Sequence, residues 1–294
     1  LSSPVRVEGG QLRVTRCTFG EASSRGARRL SLPQSPPARG LTVSGGRAVI
    51  EHTTFSNLTG GAIALVGAGN LEVSDSSFHN NRATSGAAMI VSGGTAVVTH
   101  CLFENNRAAV AGGGLRVTGG QVELRNQTLL RGNLAGAGDG SISLTSATSR
   151  GSVRYTLPAP LGHYVFVIGT TTGGGRQSAL TSSIDVDFPF LCPGGVVGNS
   201  TEALNQTGPW CSGACSAGFA CKAGTVVPEV CPQGRYCATS STSGEVCDAG
   251  QWSNLTGLTS PDECWPCPPG KAHSRNRLLF IYPFQDVRPS AERS

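Results

Sequence analysis

The residues of this chain that could do chemistry recur at one position of a repeat. Phe19, Phe55, Phe78, Phe103 and Leu129 are apolar anchors spaced 36, 23, 25 and 26 residues apart. Three residues before them stand Arg16, His52, Asp75, His100 and Asn126. A His–Asp–His row beside Arg16 has the groups for general acid–base catalysis or for a two-His metal site. The simpler expectation is an exposed polar ladder in which unlike neighbours avoid like-charge repulsion. No catalytic residue, metal or cofactor is therefore assigned, and His52, Asp75, His100 and Arg16 stand as the alternative. Asn126 begins a glycosylation sequon in the same row, where a sugar would obstruct a groove.

Other chemistry is sparse. The only lysines are Lys222 and Lys271, and the acids Glu51, Glu72, Glu104 and Glu123 are scattered. Gly112-Gly113-Gly114 opens a strand rather than a helix, so it is not a phosphate loop. The net charge is +5, with part of the excess at Arg25, Arg28, Arg29 and Arg39. No aromatic residues interleave with these arginines, which argues against a nucleic-acid partner.

The elements that must hold this row follow from the repeat. Seven residues before the anchors lie Leu12, Ala48, Leu71, Ala96 and Val122; five before lie Val14, Ile50, Val73, Val98 and Leu124. Two before lie the mostly small residues Cys17, Thr53, Ser76, Cys101 and Gln127. A second apolar-any-apolar strand recurs at 5–7, 41–43, 63–65, 89–91, 115–117 and 142–144, usually followed by Gly-Gly. Asn follows the anchors at Asn57, Asn80-Asn81, Asn105-Asn106 and Asn133, where it tolerates a left-handed backbone and can stack its amide on the next unit. Gly is 41 of 294 residues and only 14% are charged, which opposes long helices, and no apolar run nears the ~20 residues that span a bilayer.

Short strands, tight corners and a period near 25 residues predict an all-β fold: a right-handed single-stranded parallel β-helix over residues 1–150 in five to six coils. Residues 21–40 read as a loop thrown out of the coil. Cys17 and Cys101 share a register three coils, or ~14 Å, apart, too far for a disulfide, so both should be unpaired and face inward. Residues 151–191 lack the anchor and are expected to cap the coil as strands near 153–155, 164–168 and 184–190.

Residues 1–150 resemble the right-handed β-helix repeats of the pectate-lyase-like superfamily. Corners such as Phe78-His79-Asn80-Asn81 and Phe103-Glu104-Asn105-Asn106 resemble those of polymorphic-membrane-protein-type surface repeats. The resemblance implies the fold and, for many members, cleavage of acidic polysaccharides with carboxylates, Arg or Lys, sometimes with calcium. Here Lys is absent from the repeats.

The end of the chain follows another rule. Nine cysteines (Cys192, Cys211, Cys215, Cys221, Cys231, Cys237, Cys247, Cys264 and Cys267) lie within 76 residues. With a single CxxC, at Cys264 and Cys267, disulfides are expected rather than metal, one cysteine remaining without an internal partner. Cys215, Cys231, Cys247 and Cys267 each begin Cys-x-x-Gly, and the first two continue to Cys-x-x-Gly-x-x-Cys. Residues 192–270 thus resemble the ephrin-receptor-like cysteine-rich repeat, with Ser253 and His273 where Cys would be expected. Trp210, Phe219, Tyr236 and Trp252 are expected to pack on the bridges, and residues 271–294 to form a disordered tail. Sequons at Asn57, Asn126, Asn199, Asn205 and Asn254 join the cysteines in predicting an extracellular or cell-surface glycoprotein. Its expected partner is an unidentified extracellular glycan or protein. Leu1 opens the chain without a signal peptide, the expectation being a fragment or a processed product. The functional expectation is a structural or adhesive scaffold; the alternative is a polysaccharide lyase or glycoside hydrolase.

Overall fold

The computed structural model describes residues 5–20, 39–145, 151–166, 177–180, 182–268, 271–274 and 277–280. The looped-out segment, with Arg25, Arg28 and Arg29, lies almost wholly outside these residues. The chain divides into two units, Leu1–Leu191 with Ser200–Cys211, and Cys192–Asn199 with Ser212–Ser294.

The first unit coils as the period requires. Leu12, Ala48, Leu71, Ala96, Val122 and Val153 occupy one register of parallel strands, and Val14, Ile50, Val73, Val98, Leu124 and Tyr155 the next inward one. Apart from the partly exposed Leu12, all are buried in one continuous core. The second strand run aligns likewise, from Val5–Val7 through Leu41–Val43 and Ile63–Leu65 to Ile142–Leu144. In the strands Met89–Thr99 and Leu115–Arg125 both runs merge through the Gly-Gly corner. A Cβ on Gly120, at φ +78°, would lie 2.6 Å from backbone atoms of the preceding coil, so this corner takes only glycine.

The anchors stack inside. The rings of Phe19, Phe55, Phe78 and Phe103 lie face to face at 4.7, 5.0 and 4.5 Å between centroids. The next anchor is Leu130 rather than Leu129: Phe103 pairs with Leu130, which is fully buried. The cause is one extra corner residue. Asn126 and Gln127 are both left-handed (φ 43° and 62°) where earlier corners have one such residue. Thr128, not Gln127, therefore occupies the small position, and its Oγ1 accepts a hydrogen bond from the Cys101 amide at 3.3 Å. Cys17 and Cys101 are both unpaired; Cys101 is buried, but Cys17 is exposed. Cys17 lies on the first described rung, and no described rung covers it from below.

Beside the rings runs a buried amide ladder. Asn81 Nδ2 donates to Asn106 Oδ1 at 2.9 Å, and Asn106 Nδ2 to Asn133 Oδ1 at 2.9 Å. Each Oδ1 also accepts the backbone amide of the preceding coil at 3.0 Å. Asn81 Nδ2 and Asn106 Nδ2 each donate a second bond, to the Phe55 and Phe78 carbonyls, and Asn133 Nδ2 donates to the Phe103 carbonyl. Every polar atom of Asn106 is thus used inside the core, which makes its burial tolerable.

Past the last turn the chain reverses. Ser152–Thr156 continues the parallel sheet and Gln177–Leu180 pairs antiparallel to it. Single antiparallel bridges join Ile184 to Ile142 and Phe188 to Leu130. Asp185 and Asp187 carboxylates accept the amides of Gly140 (2.9 Å) and Gly132 (2.7 Å). Phe188 is fully buried, edge-on to Tyr155 at 5.5 Å. His163–Tyr164 pairs with Phe190–Leu191. Of the strand expected at 164–168 only Tyr164 is paired; Val165 and Phe166 lie outside any strand, and residues 167–168 lie outside the described residues.

The second unit is held covalently around small clusters. Disulfides join Cys215 to Cys221, Cys231 to Cys237 and Cys247 to Cys264, and Cys192 is also disulfide-bonded. The Cys-x-x-Gly repeats share backbone bonds. Gly218 N donates to Cys237 O at 2.8 Å, and Gly234 N to Ser253 O at 2.9 Å. Ser253 keeps this bond but cannot bridge, so Cys247 reaches Cys264 instead. Cys267 begins a further repeat, its amide bonded to Gly250 O at 2.7 Å. The residue six places on is His273, and Cys267 is free. Phe219 packs beside Cys215 and Cys221, and Tyr236 beside Cys247 and Cys264. Trp252 instead meets Trp265 edge-on at 6.0 Å. Trp210, in the first unit, is exposed, its ring lying over the bare backbone of Gly208. In the segment expected as a tail, Lys271–Ser274 and Arg277–Phe280 pair antiparallel.

Asn106→Ala should lower the unfolding free energy by about 3 kcal/mol, because it strands buried partners on the coils before and after it. Urea denaturation monitored by circular dichroism will read this directly.

Candidate functional site

The row of polar residues before the anchors lies on a left-handed corner. Arg16, His52, Asp75, His100 and Asn126 have φ of 54°, 47°, 48°, 52° and 43°. All five are exposed. The corner is fixed by backbone bonds from each of the first four amides to the following coil, as His52 N to Ser74 O and Asp75 N to Thr99 O, both 3.1 Å. Successive side chains therefore project about one rung, ~4.8 Å, apart.

Within this row one pair meets. His100 Nδ1 lies 2.7 Å from Asp75 Oδ1, with side chains 61% and 40% exposed. At that exposure the pair contributes about 0–1 kcal/mol to folding. The side chains of His52 and Arg16 form no hydrogen bond or ion pair among the described residues, so the structure assembles a dyad rather than a four-residue cluster. The dyad borders a hollow of about 350 Å³ whose wall includes Ser77, Leu102, Gln127, Leu129 and Pro160. Asp75 is the one carboxylate in that wall. Chemically the pair can relay a proton: the carboxylate orients the imidazole and leaves Nε2 toward solvent. Among the described residues no group of three or more His, Cys, Asp or Glu is placed to hold a metal ion.

A second charged row follows the anchors by one residue. His79, Glu104 and Arg131 share a register, with His79 Nδ1 3.3 Å and Arg131 Nη2 2.6 Å from the Glu104 carboxylate. The repeat contained this signal, but aligning on Leu129 displaced Arg131 by one place and hid it. Other outward residues neutralise one another: Arg13 with Glu51 (2.8 Å), Arg47 with Glu72 (2.8 Å) and Arg125 with Glu123 (2.5 Å). The Arg125 hydrogen bond holds the Glu123 carboxyl below the usual carboxylate range.

A coil of short parallel strands, with stacked rings inside and ladders of single polar residues outside, defines a right-handed β-helix protein. The chain belongs to the family described as "Right handed beta helix region", whose model matches residues 5–153. No curated protein and no solved structure matches the chain.

Inside the coil, burial pushes the Cys101 thiol up to about 12. A raised thiol pKa means the protonated, unreactive form dominates well above neutral pH. Alkylation with iodoacetamide at pH 8 should therefore label Cys17 and Cys267 in the native protein but leave Cys101 unlabelled until urea is added. Peptide mass mapping checks this.

Proposed function

We propose that the protein is an extracellular structural or adhesive scaffold whose β-helix presents polar faces to glycan or protein. The observation that carries this reading is the make-up of the outer surface, where Arg13, Arg47 and Arg131 each pair with a carboxylate of a neighbouring rung and the hollow beside the Asp75–His100 dyad contains a single carboxylate. Glycoside hydrolysis generally needs two carboxylates flanking the scissile bond. Location outside the cell is supported by the disulfides and by the sequon asparagines, four of which are exposed and the fifth, Asn205, partly so. No described helix is long and apolar enough to cross a membrane. The two Cys-x-x-Gly-x-x-Cys repeats, both closed internally by disulfides, support the reading of residues 192–270 as an ephrin-receptor-like module.

A second reading, a lyase or hydrolase acting on acidic polysaccharide, is favoured by the 2.7 Å contact of Asp75 with His100 beside a hollow. Incubation with acidic and neutral polysaccharides, with and without calcium, separates the two. The scaffold should release no reducing or unsaturated ends. Products that vanish in Asp75→Ala or His100→Ala would overturn the scaffold and assign the dyad.

A further inference from the structure

The row four residues after the anchors behaves differently from the others. It reads Thr59, Arg82, Arg107 and Leu134, and Arg82 pairs directly with Arg107 in the short parallel strands Arg82–Ser85 and Arg107–Ala111. Two cations in register on neighbouring rungs, ~4.8 Å apart, repel one another. Elsewhere on the coil Arg13, Arg47, Arg125 and Arg131 each meet a carboxylate. Among the described residues Arg82 and Arg107 meet none, and both are exposed.

Their neighbours complete a shelf. A hollow of about 390 Å³ is lined by the two arginines, Thr59, and the corner residues Asn57, Asn80 and Asn105. These three asparagines are left-handed, with φ of 57°, 54° and 55°, and exposed. Their side-chain amides make no hydrogen bond among the described residues. The lining thus offers two forked cationic donors and a parallel file of amide donors and acceptors, with no carboxylate and no aromatic ring.

We propose that this shelf binds successive acidic groups, sulfate or carboxylate, of a polysaccharide strand lying along the coil. An anion on each guanidinium removes the repulsion between rungs and uses the planar fork that suits bidentate oxyanions. The amides of Asn80 and Asn105, which begin no sequon, suit sugar hydroxyls. Nucleic acid fits less well, since nothing on the shelf can stack a base. The inference rests on the scaffold reading above and names the ligand class of one face.

The test uses the full chain made in a bacterial periplasm, which forms disulfides without attaching a sugar to Asn57. Calorimetric titration with a sulfated dextran oligosaccharide, a uronic-acid hexasaccharide and unsulfated dextran should show binding of at least one anionic probe and none of the neutral one. Affinity should fall with added salt. The double variant Arg82→Gln/Arg107→Gln should lose at least tenfold, whereas Arg13→Gln/Arg47→Gln, on a different face, should stay within about twofold. Preference for the sulfated or the uronic probe assigns the acidic group. If the double variant does not fold, each single variant should still lose affinity. Unchanged affinity in the Arg82 and Arg107 variants, or binding of neutral dextran alone, overturns the shelf and leaves the scaffold reading in place. Binding of none of the three overturns the shelf and the glycan arm of the proposed function together.

Discussion

Parallel, in-register pairing is the constraint on which the rest of the β-helix depends. Each residue of a coil faces its equivalent on the next, ~4.8 Å away. Inside, this is favourable: ring lies on ring from Phe19 to Phe103, and amide bonds to amide from Asn81 to Asn133. Outside, the same rule places like beside like wherever the sequence repeats too faithfully. Most outward rows avoid this by alternation, with Glu104 between His79 and Arg131 and Asp75 against His100. Arg82 against Arg107 is a pair without that relief. The candidate sites are thus by-products of one packing rule, distinguished by whether their charge is already answered within the coil.

The β-helix was legible because its signal is redundant. Inward positions seven and five before the anchor agree over successive units, so misreading one unit could not change the fold. The fine register was less secure. Leu129 and Leu130 are both leucine, and only the second left-handed residue at Gln127 decides which points inward. That one-place slip concealed Arg131 and Thr128. The exposure of Cys17 depends on what lies below the first described rung, which no repeat reports. Spacing puts Arg16, His52, Asp75 and His100 on successive corners, but it could not tell that Asp75 turns to His100 while the His52 side chain meets no partner among the described residues. Rotamers and not intervals decide that.

The cysteine-rich unit follows a different economy of order. Its buried clusters consist of a few residues each, so covalent bonds take the place of a continuous core. Departures from the repeat are consequently local. Serine at position 253 sends Cys247 to a more distant partner, and histidine at 273 leaves Cys267 without one, yet the backbone bonds between successive repeats persist, Ser253 O accepting from Gly234 N and Cys267 N donating to Gly250 O.

The seriality of the coil also bears on how it would carry load. Tension applied to its two ends loads the outermost rung first, because each rung is held chiefly by the one beside it. A yielding turn of about 25 residues would release roughly 85 Å of contour at ~3.4 Å per residue. The neighbouring turn would then inherit an intact edge and a similar threshold. Loops closed by Cys215–Cys221 and Cys231–Cys237 enclose a sequence separation of only 6 and would lengthen very little. Such a chain would lengthen in discrete increments along the helix, while each stapled loop would keep its own residues out of the extended contour.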